Sequence, residues 1–321
     1  MQKKLLGESG MAVSHVGLGT AQLSNTDNKF KGVKHVSVDE ARKILSTAFD
    51  GGINYFDTGA HYGNTETLLG ELKRKHGEQI IIATKVGLGN DGVRNFSMPF
   101  LRNQIENSLK RIDVDCLDIL QLNKPTPADL SDGQLFDFLG ELKKEGKIRC
   151  AGVVVGDTST GYQCLESEEV DSLQILYNLL CQETEDLIQK ASEGGLGVVI
   201  RSPLGNGLLS GGYTGHQTFN VDDERATYFS GPDFAQRLEV LHKIQSDLVV
   251  SNEELIKFSI RFILSNPYVS TVIPGASKLS QVEHYFKITE NFSPLGLDEL
   301  LKIKNTVSRN MKGLSLSFQN L

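Results

Sequence analysis

A short apolar run followed by an amphipathic helix recurs along this chain, and that recurrence limits the fold more than any other feature. The runs fall at residues 16–20, 53–57, 80–85, 117–123, 148–155, 173–177, 198–202 and 270–274. Most are almost continuously apolar, as strands buried on both faces must be. Between them, helical spacing lines up Ala41, Ile44, Leu45, Ala48 and Phe49, then Leu68, Leu69 and Leu72, then Leu101, Ile105, Leu109 and Ile112. Leu135, Phe138, Leu139 and Leu142 form the next stripe, and Leu187, Ile188 and Ala191 a later one. Ser37 with Glu40 is a capping box, and Gly51-Gly52 and Gly194-Gly195 are helix stops. A short helix is expected after 148–155, and further helices near 234–247, 253–264 and from Ser280 onward. Alternating strands and helices predict a parallel sheet. No Gly-x-Gly-x-x-Gly follows the first run, which disfavours an open dinucleotide-binding sheet. Eight such units in 321 residues predict a (β/α)8 TIM barrel, one domain spanning 1–321, with extra helices near the C-terminus. Residues 3–6 and 12–15 flank Glu8-Ser9-Gly10 and predict an N-terminal β-hairpin. The longest irregular stretch, 205–231, is rich in Gly and polar residues, the composition of a functional loop.

Polar residues gather where these runs end. Asp57, Lys85, Asn123, Gln174 and Ser202 lie at or near strand C-termini, the end of a barrel at which chemistry collects. Tyr62 follows Asp57 by five positions. Carboxylate, phenol and ammonium make a proton-donating site when they converge. The Lys is expected to pull the phenol below its usual value of roughly 10, while the Asp keeps the Lys charged and oriented.

Composition excludes several other classes. The formal net charge is −7 and no basic run is present, which argues against nucleic-acid binding. No stretch approaches the ~18 apolar residues of a membrane span, and the N-terminus lacks an apolar signal region. Cys116, Cys150, Cys164 and Cys181 show no paired spacing, as expected of reduced thiols in a cytoplasmic protein. No His pair has metal-ligand spacing, so no metal is expected.

The segments Asp57-Thr58…Tyr62-Gly63, Thr84-Lys85, the run from Ser202-Pro203-Leu204-Gly205 to Leu209, and Val272-Ile273-Pro274-Gly275-Ala276 together resemble the aldo-keto reductase superfamily over nearly the whole chain. The resemblance implies NADPH-dependent reduction of a small-molecule carbonyl, with Asp57, Tyr62, Lys85 and Asn123 as the catalytic group. Tyr62 would protonate the new alkoxide. Asn123 stands where the family normally has His, and its amide donates a hydrogen bond without titrating. For NADP(H) the resemblance implies contacts from Gly19, Thr20, Asp57, Gln174, Arg201, Ser202, Leu204, Asn206, Gly275, Ser277, Lys278 and Gln281. Gln174 would hold the nicotinamide carboxamide, and Ser277 with Lys278 the 2′-phosphate that selects NADP over NAD. Val154 and Val155 replace the usual Ser-Asn pair at the carboxamide. Those departures leave two other readings open: a non-catalytic NADP(H)-binding regulator, or a redox-neutral step with retained cofactor. Substrate choice is assigned to the polar loops 25–36, 87–97 and 124–133 and to the tail after Asn310, a composition favouring a sugar-like or other polar carbonyl.

Overall fold

The computed structural model describes residues 1–24, 36–213, 229, 231–290 and 292–312. All of loop 25–36 but Val36, most of 205–231 and nearly all of the tail after Asn310 therefore lie outside the described residues. A hairpin of β1 (Lys3–Leu5) and β2 (Ala12–Ser14) comes first. The parallel strands are β3 (Leu18–Gly19), β4 (Tyr55–Asp57), β5 (Ile81–Val86) and β6 (Leu117–Asn123), then β7 (Ile148–Val154), β8 (Ser172–Leu176), β9 (Gly197–Arg201) and β10 (Thr271–Val272). Each pairs with the next in chain order from β3 to β10. The edges then meet: Val16 bridges Val272, Gly19 bridges Gly275, and Gly17 N–H donates to the Val272 carbonyl at 2.8 Å. The result is the predicted (β/α)8 barrel.

The intervening helices are α1 (Val38–Asp50), α2 (Thr65–His76), α3 (Met98–Ile112), α4 (Pro127–Leu130), α5 (Gln134–Lys144), α6 (Thr158–Cys164) and α7 (Glu185–Glu193). Gly231–Leu248, Leu255–Leu264, Leu279–Glu290 and Leu297–Met311 follow as α8 to α11. The capping box at Ser37 forms in both directions. One difference lies in 124–133, expected as loop: Thr126 and Asp129 cap each other there and close the single turn of α4. Pro127 at its first position has no N–H to leave unsatisfied.

Side-chain alternation along the strands separates core from site. Facing inward at the N-terminal end, Tyr55, Ile81, Ala83 and Ile119 pack with Leu6, Met11 and Val13 of the hairpin into a small apolar plug. Two residues further along the same strands the inward positions become Asp57, Lys85 and Gln121. The outward positions Phe56, Ile82, Leu120 and Leu122 join the main core beneath the helices. Two buried charges on the outside pin helices to strands. Lys73 of α2 donates to both oxygens of Asp118 on β6, at 3.0 and 2.8 Å, and to the Ile80 carbonyl at 2.8 Å. Glu66 of α2 accepts from Thr84 Oγ1 on β5 at 2.5 Å and from Arg111 Nε on α3 at 2.6 Å. The backbone bearing Lys85 is thus held from behind.

Candidate active site

Asp57 ends β4 and Lys85 stands on the neighbouring β5. Lys85 Nζ donates to Asp57 Oδ1 and to the Thr58 carbonyl, the latter at 2.9 Å. Only 4% of the Lys85 side chain and 5% of the Asp57 side chain are exposed. At that depth neither charge has water as an alternative partner, so each depends on the other. Asp57 Oδ2 accepts from Gln121 Nε2 at 3.0 Å and from Gln174 Nε2 at 2.7 Å, and Gln174 Nε2 also donates to Gln121 Oε1 at 3.0 Å. Gln121 is absent from the sequence-based site. Its signal was available: an amide between two leucines, two residues before Asn123 and so on the same face of the strand.

Tyr62 sits in the turn between β4 and α2. Its N–H donates to the Gly59 carbonyl at 2.9 Å, and its own carbonyl accepts from Thr65 Oγ1 at 3.0 Å. Thr58 and Thr65 are joined through their hydroxyls at 2.6 Å, which ties the turn to the end of β4. Lys85 Nζ lies 5.3 Å from the centre of the Tyr62 ring. The His61 ring meets Tyr62 edge-on, 4.5 Å between centroids.

The direction expected for the phenol is reversed. Lys85 does favour phenolate, and Arg201 adds to it, but burial penalises the charged form more, and Asp57 repels it as well. The Tyr62 pKa is raised above its ordinary value, so the group is protonated at neutral pH. Burial, helped by Lys85, pulls His61 down to about 4, which leaves a neutral imidazole beside the phenol.

Asn123 closes β6 at the same rim, 8% exposed and in register with Val154 of β7. Lys124 then takes a left-handed backbone, φ 57°, and turns the chain away. Val154 and Val155 are buried and apolar. Arg201 Nη2 donates to the Val155 carbonyl at 3.2 Å, and burial lowers the guanidinium to about 10.

Around the rim lie the other residues assigned to the cofactor. Thr20 is buried and bonds the Asp57 carbonyl through both N–H and Oγ1, each at 2.9 Å. Gly19 is in register with Asp57 on one side and Gly275 on the other. Ser202 and Asn206 hold left-handed backbone at φ 50° and 51°, a conformation costing a non-glycine residue about 1–3 kcal/mol. Asn178 Nδ2 fixes the first by donating to the Ser202 carbonyl at 3.0 Å, and the Leu204 carbonyl accepts from Gly207 N–H at 2.9 Å. Ser277 and Lys278 precede α10, where Gln281 Oε1 accepts from their backbone N–H groups at 2.8 and 3.1 Å. Gln281 Oε1 thus accepts from the backbone N–H groups that an anion at this helix start would engage. Tyr285 is buried, its hydroxyl donating to the Gly275 carbonyl at 2.7 Å.

Among the described residues, the buried polar atoms Gln22 Oε1 and Arg201 Nε near this rim have no hydrogen-bond partner. One accepts and one donates, and leaving each unmet costs about 1–3 kcal/mol. A polar ligand that both donates and accepts, as a nicotinamide dinucleotide does, suits the chemistry of these atoms.

A parallel eight-stranded barrel with a buried Lys-Asp pair and a protonated phenol at its C-terminal mouth defines an oxidoreductase acting on small carbonyls. The Aldo/keto reductase family model matches residues 15–305, and the chain belongs to that family, which uses a nicotinamide cofactor. Among its relatives, aldo-keto reductase str7 of Strobilurus tenacellus is 30% identical over 283 residues, 84% of this chain and 82% of that protein. The NADH-specific methylglyoxal reductase of Escherichia coli (strain K12) is 26% identical over 305 residues, 88% of this chain and 91% of that protein. Among solved structures, the holo form of aldo-keto reductase AKR11C1 from Bacillus halodurans superposes with a TM-score of 0.78 at 26% identity, covering 95% of this chain and 96% of that one.

Proposed function

We propose that this protein reduces a polar aldehyde or ketone to its alcohol with NADPH, and that Tyr62 donates the proton. The supporting observation is the convergence of Tyr62, Lys85 and Asp57 at one mouth with the phenol in its protonated form. NADPH, when bound, supplies hydride to the carbonyl carbon. Asn123 orients the carbonyl oxygen with one amide hydrogen bond, and Tyr62 O–H delivers the proton to that oxygen as charge develops on it. The phenolate left behind faces the Lys85 ammonium. Gln174 and the strained backbone from Ser202 to Asn206 would hold the cofactor, together with Gly19, Thr20, Arg201, Leu204 and the turn Gly275 to Gln281. The polar loops 87–97 and 124–133 favour a hydrophilic substrate, and the methylglyoxal reductase among the relatives is named for a small polar one. Four free cysteines fit the reducing cytoplasm. Among the described residues, no helix is long and apolar enough to cross a membrane.

Cofactor choice rests on this chain's own residues, because that relative is NADH-specific. Lys278 is exposed next to the N-terminus of α10, where positive charge and helix end together favour a 2′-phosphate. A charge-assisted bond of this kind contributes about 1.5–3 kcal/mol. Lys278→Ala is expected to weaken NADPH by about tenfold or more and leave NADH unchanged, read by quenching or transfer of cofactor fluorescence. Equal wild-type affinities for the two cofactors would refute the assignment.

The pH profile tests the acid and its neighbours. Tyr62 sits above its ordinary value and stays protonated through neutral pH; His61, at about 4, stays neutral; Asn123 does not titrate. Reduction is therefore expected to show no ionisation between about pH 5 and 9 from these groups. Asn123→His should add one near pH ~6–7. Asn123→Leu, lacking the donor, should cost about 1–3 kcal/mol in kcat/KM. An Asn123→Leu variant as fast as wild type would make Asn123 a bystander.

A further inference from the structure

Asp57, Gln121 and Gln174 stand on β4, β6 and β8, alternate strands of the barrel, and their inward side chains form one layer. This polar layer rests directly on the apolar plug. Gln121 is 1% exposed and Gln174 3%, so among the described residues their amides are satisfied by each other and by Asp57. The bonding leaves no freedom in how the amides are turned. A carboxylate only accepts, so both glutamines must present Nε2 to Asp57 Oδ2. Gln121 then turns its Oε1 toward Gln174, where it accepts from Gln174 Nε2 at 3.0 Å. Gln174 is thereby held with its nitrogen toward Asp57 and Gln121 and its carbonyl oxygen on the opposite side of the amide. The backbone is shaped for this contact: a Cβ at Gly152 would lie 3.1 Å from Gln121 Cγ and 2.7 Å from Ser172 Oγ. A larger residue at 152 would crowd both Ser172 and Gln121.

We infer that Gln121 is a positioning residue that sets Asp57 and Gln174 at once, and so links the cofactor side of the site to the proton-donating side. The inference rests on the reductase reading above. Gln121 acts through its neighbours: it shares Asp57 Oδ2 with Gln174 and leaves Oδ1 to Lys85. Without it, Asp57 loses one of its donors and Gln174 one of its two acceptors. Asp57 and Gln174 are then free to shift, and with Asp57 shifts the Lys85 ammonium that faces Tyr62.

Gln121→Met keeps length and volume and removes both polar atoms. Hydride transfer from NADPH to methylglyoxal and to glyceraldehyde should fall about tenfold in kcat, with the KM for each within about twofold of wild type. NADP+ should bind about threefold to tenfold more weakly, measured calorimetrically without turnover. A third readout needs no cofactor. The phenol of Tyr62, titrated by difference absorbance of apo wild type against apo Tyr62→Phe, should move in Gln121→Met, because the charged groups facing it (Asp57, Lys85 and Arg201) are rearranged, beside a neutral His61. Gln121→Asn retains an amide one methylene short of Asp57 and should show the same losses, which serves if the Met variant does not fold. Unchanged kcat, NADP+ affinity and Tyr62 titration in a folded variant, whatever its melting temperature, would overturn the inference. Wild type that reduces no carbonyl would instead defeat the reductase reading, and the titration of Tyr62 would still decide the role of Gln121.

Discussion

Tyr62→Phe is expected to lower kcat for carbonyl reduction by about 10²–10⁴ while leaving NADPH affinity within about twofold. The phenylalanine keeps the ring that packs against His61 and below the turn tied by Thr58 and Thr65, so local structure should persist. Only the O–H is lost. Lys85 is already engaged by Asp57 and the Thr58 carbonyl, and Arg201 by the Val155 carbonyl, so both donors are committed elsewhere. His61 is neutral down to about 4, and its proton is available only as that of a neutral imidazole. Stopped-flow measurement of NADPH oxidation in a single turnover separates chemistry from product release. Wild-type rates in the Phe variant would move the proton source away from Tyr62, and His61→Ala in the same background would then identify or exclude the imidazole.

Lys85→Met is expected to impair both stability and turnover, and by more than any surface substitution. Removing one partner of a buried ion pair leaves the other charge uncompensated, at a cost of about 3–5 kcal/mol. Asp57 would keep its two glutamine donors but lose its counter-ion, and the Thr58 carbonyl would lose its donor. Turnover should fall by about 10² or more, because the phenolate formed on proton transfer loses the cation facing it. Asp57→Asn added to Lys85→Met removes the stranded charge, and a urea titration should show part of the lost stability regained. Activity should not return. A double variant no more stable than Lys85→Met alone would contradict the account of the pair, since the cost would then lie in packing.

The barrel was legible in the sequence because its pattern is local. Strands buried on both faces need near-continuous apolar runs, and the helices that cover them need a stripe at 3.6-residue spacing. Both patterns can be read without knowing what each element touches. The Aldo/keto reductase assignment was legible for a related reason, since its motifs lie at strand ends, where the barrel gathers polar side chains. Asp57, Lys85 and Asn123 all stood out as polar residues closing apolar runs. Helix α4 was missed because one turn is too short for a period to show, although its Thr126–Asp129 cap was visible.

Tertiary structure alone decided how the polar residues act on one another. Gln121, Gln174 and Asp57 are 64 and 117 positions apart in their pairings, and no sequence spacing announces that three alternate strands will place them in one layer. The direction of the Tyr62 shift was a further such case. Sequence placed a cation near a phenol, which lowers its pKa; the fold buried the phenol, which raises it, and burial is the larger effect. Charge is carried by residues and can be counted along a chain. Desolvation belongs to the packed assembly, because it depends on what every other segment has removed from water.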